Sequence, residues 1–139
     1  MLPISDGVIW MGTTNGVARL SSVDTEKGSF ESTARARWQV FNEDDGLPGV
    51  VVEDILEDND GRIWAATDNG VAVFDGQSWR AFTTADGLAD DQVNDMALGS
   101  DGSIWFATKR GASHYNGVTW HTFRRGDGLP ATLEMFRGF

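Results

Sequence analysis

The residues best suited to chemistry in this 139-residue sequence are carboxylates, two histidines and a few bases near the C-terminal end. The acidic stretch EDNDG, residues 57–61, resembles a calcium-binding loop at first sight. However, Leu56 and Thr67 stand where an EF-hand loop needs its first carboxylate and its bidentate glutamate. We therefore interpret 57–61 as a turn between strands and predict no metal site.

Two carboxylate pairs, Asp44-Asp45 and Asp90-Asp91, raise the question of acid–base catalysis. Neighbouring residues on a strand point to opposite faces, so adjacency does not predict a catalytic dyad. The sequence also has no G-x-S-x-G nucleophile, H-E-x-x-H zinc motif or phosphate-binding loop. We expect no catalytic residue and no cofactor, and favour a non-enzymatic role.

The charge is strongly acidic and unevenly distributed, with a net charge of −10. Residues 40–101 carry fifteen acidic against two basic side chains, whereas residues 102–139 carry five basic against two acidic ones. Binding to phosphate backbones or anionic lipids requires clustered lysine and arginine. We therefore predict no nucleic-acid partner and no membrane partner.

Cysteine is absent and the N-terminus, MLPISDGVIW, lacks the basic and apolar regions of a signal peptide. The absence of cysteine therefore does not indicate whether the protein works in an oxidising or a reducing compartment. By default the protein is expected in the cytoplasm, or outside it if the chain is a processed fragment.

These residues lie in a pattern that repeats every 41 positions, as from Trp64 to Trp105. Residues 60–88 and 101–129 share one pattern, and a third copy is divided between 6–20 and 37–47. Each copy contains four strand-like runs separated by Asp-Gly or Asn-Gly turns. This period and strand count are typical of a propeller blade, so we predict an all-β β-propeller.

The repeat divides residues 1–139, one propeller half, into blade 1 (6–47), blade 2 (48–88) and blade 3 (89–129). Blade 1 contains a polar insertion at 21–36, which is either a tolerated surface loop or a partner-contact loop. The last residues, 130–139, align with a first strand and are predicted to close a neighbouring blade.

Each blade carries two tryptophans in register, which we interpret as packing between blades; a sugar-binding aromatic platform is the alternative. The six residues are Trp10, Trp38, Trp64, Trp79, Trp105 and Trp120.

The repeat G-x-I-W-x-x-T-x-x-G, followed by (F/Y)-(D/N)-G-x-x-W and D-G-L, resembles the two-component regulator propeller repeat. That resemblance implies a ligand-sensing extracytoplasmic β-propeller of the kind found in hybrid histidine kinases. The recurring G-x-I-W motif is also similar, more weakly, to the repeats of streptogramin lyases. Their histidine chemistry does not carry over, because His114 and His121 align with other residue types in the other two blades.

Candidate binding residues lie in two sets of loops that share one face of the propeller: those between the second and third strands, and those between blades. The Asp-Gly-Leu triplets at 45–47, 86–88 and 127–129 recur in every repeat and predict turns. Residues that differ between repeats are better ligand candidates. They are Asn15, Asp68, Asn69, Asp90, Asp91, Lys109, Arg110, Arg124 and Arg125.

Three blades are too few to close a ring, since propellers typically have about four to eight. The first repeat is expected to begin at its second strand, because only MLPIS precedes Asp6. We therefore expect a head-to-tail homodimer with six blades, in which residues 130–136 of each chain complete blade 1 of the other. A nine-bladed trimer and a piece of a larger propeller are the alternatives.

The function predicted is a non-catalytic module that binds a small molecule, glycan or protein and assembles as a homo-oligomer. The alternatives are an interaction scaffold that uses the 21–36 loop, and a lyase or hydrolase.

Deleting residues 130–139 tests the exchanged strand. The truncated chain is expected to lose assembly, because blade 1 of each partner would lack its closing strand. Light scattering on the full chain should give twice the 15.1-kDa chain mass. A full chain that folds as a monomer would contradict the expectation.

Overall fold

The computed structural model describes residues 2–3, 8–22, 36–124 and 127. They form three four-stranded antiparallel sheets, in each of which spatial neighbours are sequence neighbours. The all-β propeller fold predicted from the repeats is confirmed. Blade 1 contains β1 (Leu2–Pro3), β2 (Ile9–Thr13), β3 (Gly16–Ser22) and β4 (Ala36–Phe41); blade 2 contains β5 (Val52–Glu57), β6 (Ile63–Thr67), β7 (Gly70–Phe74) and β8 (Trp79–Phe82); blade 3 contains β9 (Val93–Leu98), β10 (Ile104–Thr108), β11 (Gly111–Tyr115) and β12 (Trp120–Phe123).

A threonine closes the turn between the second and third strands of each blade. The Thr67 hydroxyl donates to the Gly70 carbonyl at 2.7 Å and accepts the Asn69 N–H at 3.1 Å. Thr13 and Thr108 donate to the matching glycine carbonyls in blades 1 and 3. These bonds fix the register of each hairpin, which explains the T-x-x-G element of the repeat.

The apolar core lies between the blades rather than within them. All five residues of β6 are buried, and alternate side chains face opposite neighbours. Ile63 and Ala65 pack with blade 1, whereas Trp64 and Ala66 pack with blade 3. We call each packed blade-to-blade interface a seam; the structure describes two of them.

The linkers between blades turn at glycines with positive φ. Gly46 has φ 113° and Gly87 has φ 127°. Each lies against the tryptophan that begins the fourth strand of the next blade. A Cβ on Gly87 would lie 2.6 Å from the Cβ of Trp120. The Asp86 carboxylate completes this turn by accepting the Thr83 N–H at 2.9 Å. The Asp-Gly-Leu triplet therefore forms the corner that stacks one blade on the next.

The expectation that blade 1 begins at its second strand is wrong. Leu2 pairs with Trp10 and Pro3 pairs with Ile9, so β1 occupies part of the first-strand position. The first strand of blade 2 is longer and pairs along the whole of β6, from Glu57 to Val52. An exchanged strand would therefore have to displace β1 or pair with the rest of β2.

The polar insertion lengthens the hairpin formed by β3 and β4 in blade 1. Pairing of β3 with β4 continues through Ser21 and Arg37 to Ser22 and Ala36, beyond its limit in the other blades. Residues 23–35 of the insertion lie outside the described part of the chain, as do residues 128–139.

Replacing Gly87 with alanine tests the packed corner. Both Gly87→Ala and Gly61→Ala place a side chain at positive φ, which costs about 1–2 kcal/mol. Only Gly87→Ala also pushes a methyl group into Trp120, adding about 1–3 kcal/mol of overpacking. Urea denaturation should therefore show the larger loss of unfolding free energy for Gly87→Ala. Equal losses would contradict the packing role of this glycine.

Candidate functional site

A groove lies along the seam between blades 2 and 3. It consists of two cavities of about 170 and 340 Å³ that share Arg62, Trp64 and Tyr115 in their walls. Its rim is formed by the turns that join first to second strands and third to fourth strands, such as residues 58–61 and 75–78. The groove therefore opens at the end of the blades opposite the predicted binding loops.

Asp58 organises the polar end of the groove. Its Oδ2 accepts a hydrogen bond from the indole N–H of Trp64 at 2.9 Å and one from Nε of Arg62 at 3.0 Å. Its Oδ1 accepts the backbone N–H groups of Asp60 and Arg62, both at 2.9 Å. These bonds hold the Arg62 guanidinium where the two cavities meet. Trp10, the equivalent of Trp64 in blade 1, is buried with no hydrogen-bond partner for its N–H in the described structure.

Two carboxylates on the rim of the groove accept hydrogen bonds that favour their charged form. Backbone N–H groups of Ser78 and Gln77 donate to Asp75 and hold the pKa of its carboxyl below the usual value. Hydrogen bonds from the hydroxyl and backbone N–H of Ser103 likewise lower the pKa of Asp101. Both carboxylates line the groove together with guanidinium groups, so it presents hydrogen-bond donors and acceptors.

The seam between blades 1 and 2 has the same aromatic walls but is filled from within. Trp10 and Phe41 are stacked with centroids 6.0 Å apart, and Phe74 of blade 2 lies 5.5 Å from Trp10. The guanidinium carbon of Arg19 lies 5.3 Å from the Trp10 ring and 5.8 Å from each phenylalanine ring. Its terminal nitrogen donates to the side-chain oxygen of Gln39, across the strand pair. This arrangement is a cation–π cage closed by the protein's own arginine.

The seam that contains the groove has the same aromatic walls, but its cation comes from the fourth strand and lies over a single ring. Trp64 and Phe82 are stacked at 5.9 Å with the same 16° interplanar angle as Trp10 and Phe41. Tyr115 replaces Phe74, 5.9 Å from Trp64. Val73 stands at the position of Arg19 and lines the smaller cavity. Arg80, opposite Val73, extends over Phe82 at 4.7 Å instead.

The groove is thus built from positions at which the three blades differ. Arg62, Arg80 and Tyr115 have no counterpart of the same type in either other blade. The sequence patterns do not single them out, because the predicted ligand contacts lie at the opposite end of the blades. The signal that finds them is the same one, variation between repeats, applied to the other set of turns.

The loop residues predicted as ligand contacts lie at the end of the blades that carries the threonine-closed turns and the linkers between blades. Several of them form local hydrogen bonds. Asn69 donates from its side chain to the Pro48 carbonyl at 3.0 Å, and the carboxylate of its neighbour Asp68 lies against Gly49. Asn15 and Arg110 use their backbone N–H groups to close the threonine turns.

A second group of predicted contacts gathers around the linker into blade 3. Arg110 and Asp90 form an ion pair at 3.2 Å, and Arg124 donates to the Ala89 carbonyl at 3.1 Å. Asp91 accepts the backbone N–H of Thr84 at 2.8 Å. Lys109 is exposed beside this group, and Arg125 lies outside the described residues. This group anchors the linker and brings Asp90, Arg110 and Arg124 to one region of the surface.

The six tryptophans differ in their surroundings. Trp10, Trp64 and Trp79 are buried in the two seams, and Trp105 and Trp120 are half-buried. Trp38 is 58% exposed. Trp64 lines the groove but is almost fully covered, with 2% of its surface exposed.

Within the described ranges, no three acidic or histidine side chains lie close enough to hold a metal ion. The described part of the chain also contains no helix of the length and apolarity needed to cross a membrane.

The family model of the two component regulator propeller matches residues 46–69 and 87–110. This match confirms the resemblance seen in the repeats. A search of curated proteins gave no match.

Several solved structures share the fold. The extracellular domain of the hybrid two component system BT3049 from B. thetaiotaomicron matches 91% of this chain with a TM-score of 0.71 and 24% identity. The extracellular domain of the one component system BT4673 from the same organism matches 92% with a TM-score of 0.64 and 17% identity. Virginiamycin B lyase from Staphylococcus aureus matches 91% with a TM-score of 0.61 and 19% identity. The chain spans 17%, 19% and 40% of these proteins, respectively.

Replacing Asp58 with asparagine tests the polar end of the groove. Asparagine has one acceptor oxygen where Asp58 has two. Either the Trp64 and Arg62 side chains or the backbone N–H groups of Asp60 and Arg62 therefore lose their acceptor. We expect a loss of about 1–3 kcal/mol in unfolding free energy. The control is Asp60→Asn, which alters the exposed ion pair between Asp60 and Arg62 and should cost less than about 0.5 kcal/mol. Equal effects in urea denaturation would contradict the anchoring role of Asp58.

Proposed function

We propose that this chain is a non-catalytic binding module that holds a small hydroxyl-rich ligand, of the saccharide type, in the groove between blades 2 and 3, and that it assembles as a homo-oligomer. The observation that carries the binding proposal is the cavity at the second seam. The two described seams have equivalent aromatic walls, yet Arg19 lies among the rings of one, whereas Val73 and Arg80 line a cavity at the other.

The mixed charge of the groove favours a neutral ligand. Arg62 and Arg80 supply guanidinium donors, and four carboxylates lie in the walls. Asp58 and Asp60 pair with Arg62, which leaves Asp75 and Asp101 as carboxylate acceptors. A ligand with a single charge would meet a like charge within the same groove, which costs affinity. Hydroxyl groups both donate and accept hydrogen bonds, so a polyhydroxylated ring can use both kinds of group. The half-buried ring of Tyr115 offers an apolar surface beside them.

The groove also suits recognition because its polar groups are positioned in advance. Asp58 accepts four hydrogen bonds, and the hydroxyl of Tyr115 donates to the Gly117 carbonyl at 3.0 Å. Side chains already held in place lose little conformational freedom on binding, which favours affinity.

A double substitution, Val73→Arg with Arg80→Gln, tests the proposal by copying the filled seam into the open one. It recreates the Arg19–Gln39 pair between equivalent aromatic walls, so the protein should stay folded while the groove fills. Mono- and oligosaccharides that raise the melting temperature of the wild-type protein would be titrated by calorimetry. Affinity should fall at least about tenfold, or ~1.4 kcal/mol.

The matched control is the reverse exchange, Arg19→Val with Gln39→Arg, which opens the other seam and should leave affinity for the groove ligand unchanged. Wild-type affinity in the folded Val73→Arg/Arg80→Gln protein would overturn the assignment of the groove. The absence of any saccharide that binds the wild-type protein would overturn the ligand class.

A further inference from the structure

Each described seam is closed by a tryptophan from the following blade. We call the stacked tryptophan–phenylalanine pair on one side of a blade its trailing pair. In blade 1 the trailing pair is Trp10 with Phe41, and Trp79 of blade 2 lies 6.2 and 5.6 Å from these two rings. In blade 2 the pair is Trp64 with Phe82, and Trp120 of blade 3 lies 5.4 Å from Phe82.

Blade 3 presents a third trailing pair that no described residue covers. Trp105 and Phe123 are stacked with centroids 5.8 Å apart and an interplanar angle of 24°. The corresponding values in the two described seams are 6.0 and 5.9 Å, both at 16°. Phe123 is 41% exposed, whereas Phe41 and Phe82 are buried. The pair is therefore already built in the geometry that receives a tryptophan.

The opposite end of the structure presents the tryptophan. A cross-strand row of Ile63, Phe74 and Trp79 forms the leading face of blade 2, the face that packs on the blade before it. In blade 1 the same register aligns Ile9, Leu20 and Trp38. Trp79 is 7% exposed, but Trp38 is 58% exposed and the adjacent Val40 is 59% exposed. Exposed apolar groups of this size, next to each other on a sheet face, mark an interaction surface.

We propose that the leading face of blade 1 docks on the trailing pair of blade 3 in a second copy of this chain, with Trp38 of one copy against Trp105 and Phe123 of the other. This inference deepens the homo-oligomer of the proposed function and rests on it. A second copy is the occupant because the two exposed surfaces are the two halves of one seam that the molecule already forms twice. Such a contact is head-to-tail, so every copy has both of its surfaces covered only when the copies form a closed ring. Two copies give six blades, within the usual range of about four to eight.

The interchain seam would differ from the other two in its polar pair. Arg19 lies opposite Gln39 in blade 1, and Val73 lies opposite Arg80 in blade 2. In blade 3 the same two positions are His114 and His121. The imidazole of His114 lies 4.5 Å from the Trp105 ring, which places it beside the docking surface.

Two substitutions, one on each surface, test the contact through the mass of the full chain. Trp38→Glu and Phe123→Glu each place a charge in the seam while changing a side chain that is substantially exposed, so both proteins should fold. Multi-angle light scattering should give twice the 15.1-kDa chain mass for the wild type and a single chain mass for each variant. The dissociation constant should rise at least about 30-fold, as for other buried aromatic contacts. Val118→Glu changes an apolar residue that is 83% exposed in the turn before β12, at the other end of that strand from Phe123, and should leave the mass at twice that of the chain.

Mixing the two variants makes the test specific. The trailing pair of Trp38→Glu and the leading face of Phe123→Glu are both intact, so the mixture should form one good seam and recover a species of two chains. A monomeric wild type, or variants that keep the double mass, would overturn the proposal. Loss of assembly without loss of saccharide binding would uphold the interface and leave the groove assignment to its own test.

Discussion

The structure depends on the packing of a stacked tryptophan–phenylalanine pair of one blade against an aromatic row of the next. Each blade is a thin sheet with apolar side chains on both faces, so it cannot keep water from both faces by itself. β6 shows the constraint most clearly, since its five residues are all buried and alternate between two neighbours. Stability therefore comes from the seams, and the turns serve to set the distance and angle at which the blades meet. Gly46 and Gly87 are required because the backbone of each linker lies directly against a tryptophan of the next blade.

The sequence predicts the fold well because the seam imposes a strict repeat. Tryptophans at 64 and 105, glycines at 46 and 87, and threonines at 67 and 108 recur because each has the same structural task in every blade. The first strand of blade 1 was missed because two residues, Leu2 and Pro3, are too short a run to form a strand pattern. Their pairing depends on β2, which the local sequence does not describe.

The groove was not predicted, for a physical reason that follows from the same repeat. A cavity is the space left when side chains from several turns fail to fill a seam, and no single stretch of sequence contains that information. Val73 looks like an ordinary core residue of a strand, and its significance appears only when it is compared with Arg19 across equivalent aromatic walls. Arg62 and Asp58 are likewise close in sequence to a common turn motif, yet their bonds to each other and to Trp64 organise the cavity.

The three blades thus differ at one cross-strand pair between the third and fourth strands, while their aromatic walls stay the same. Arginine at 19 fills its seam with a cation that the rings and Gln39 hold in place. Valine at 73 leaves a groove whose remaining donors and acceptors face solvent. Histidine at 114 lies against Trp105 on the surface proposed to meet a second copy. Since the walls alone supply the apolar packing, this position is free to vary without loss of the blade. A repeat protein of this kind can therefore change the polarity of one seam by changing a single cross-strand pair.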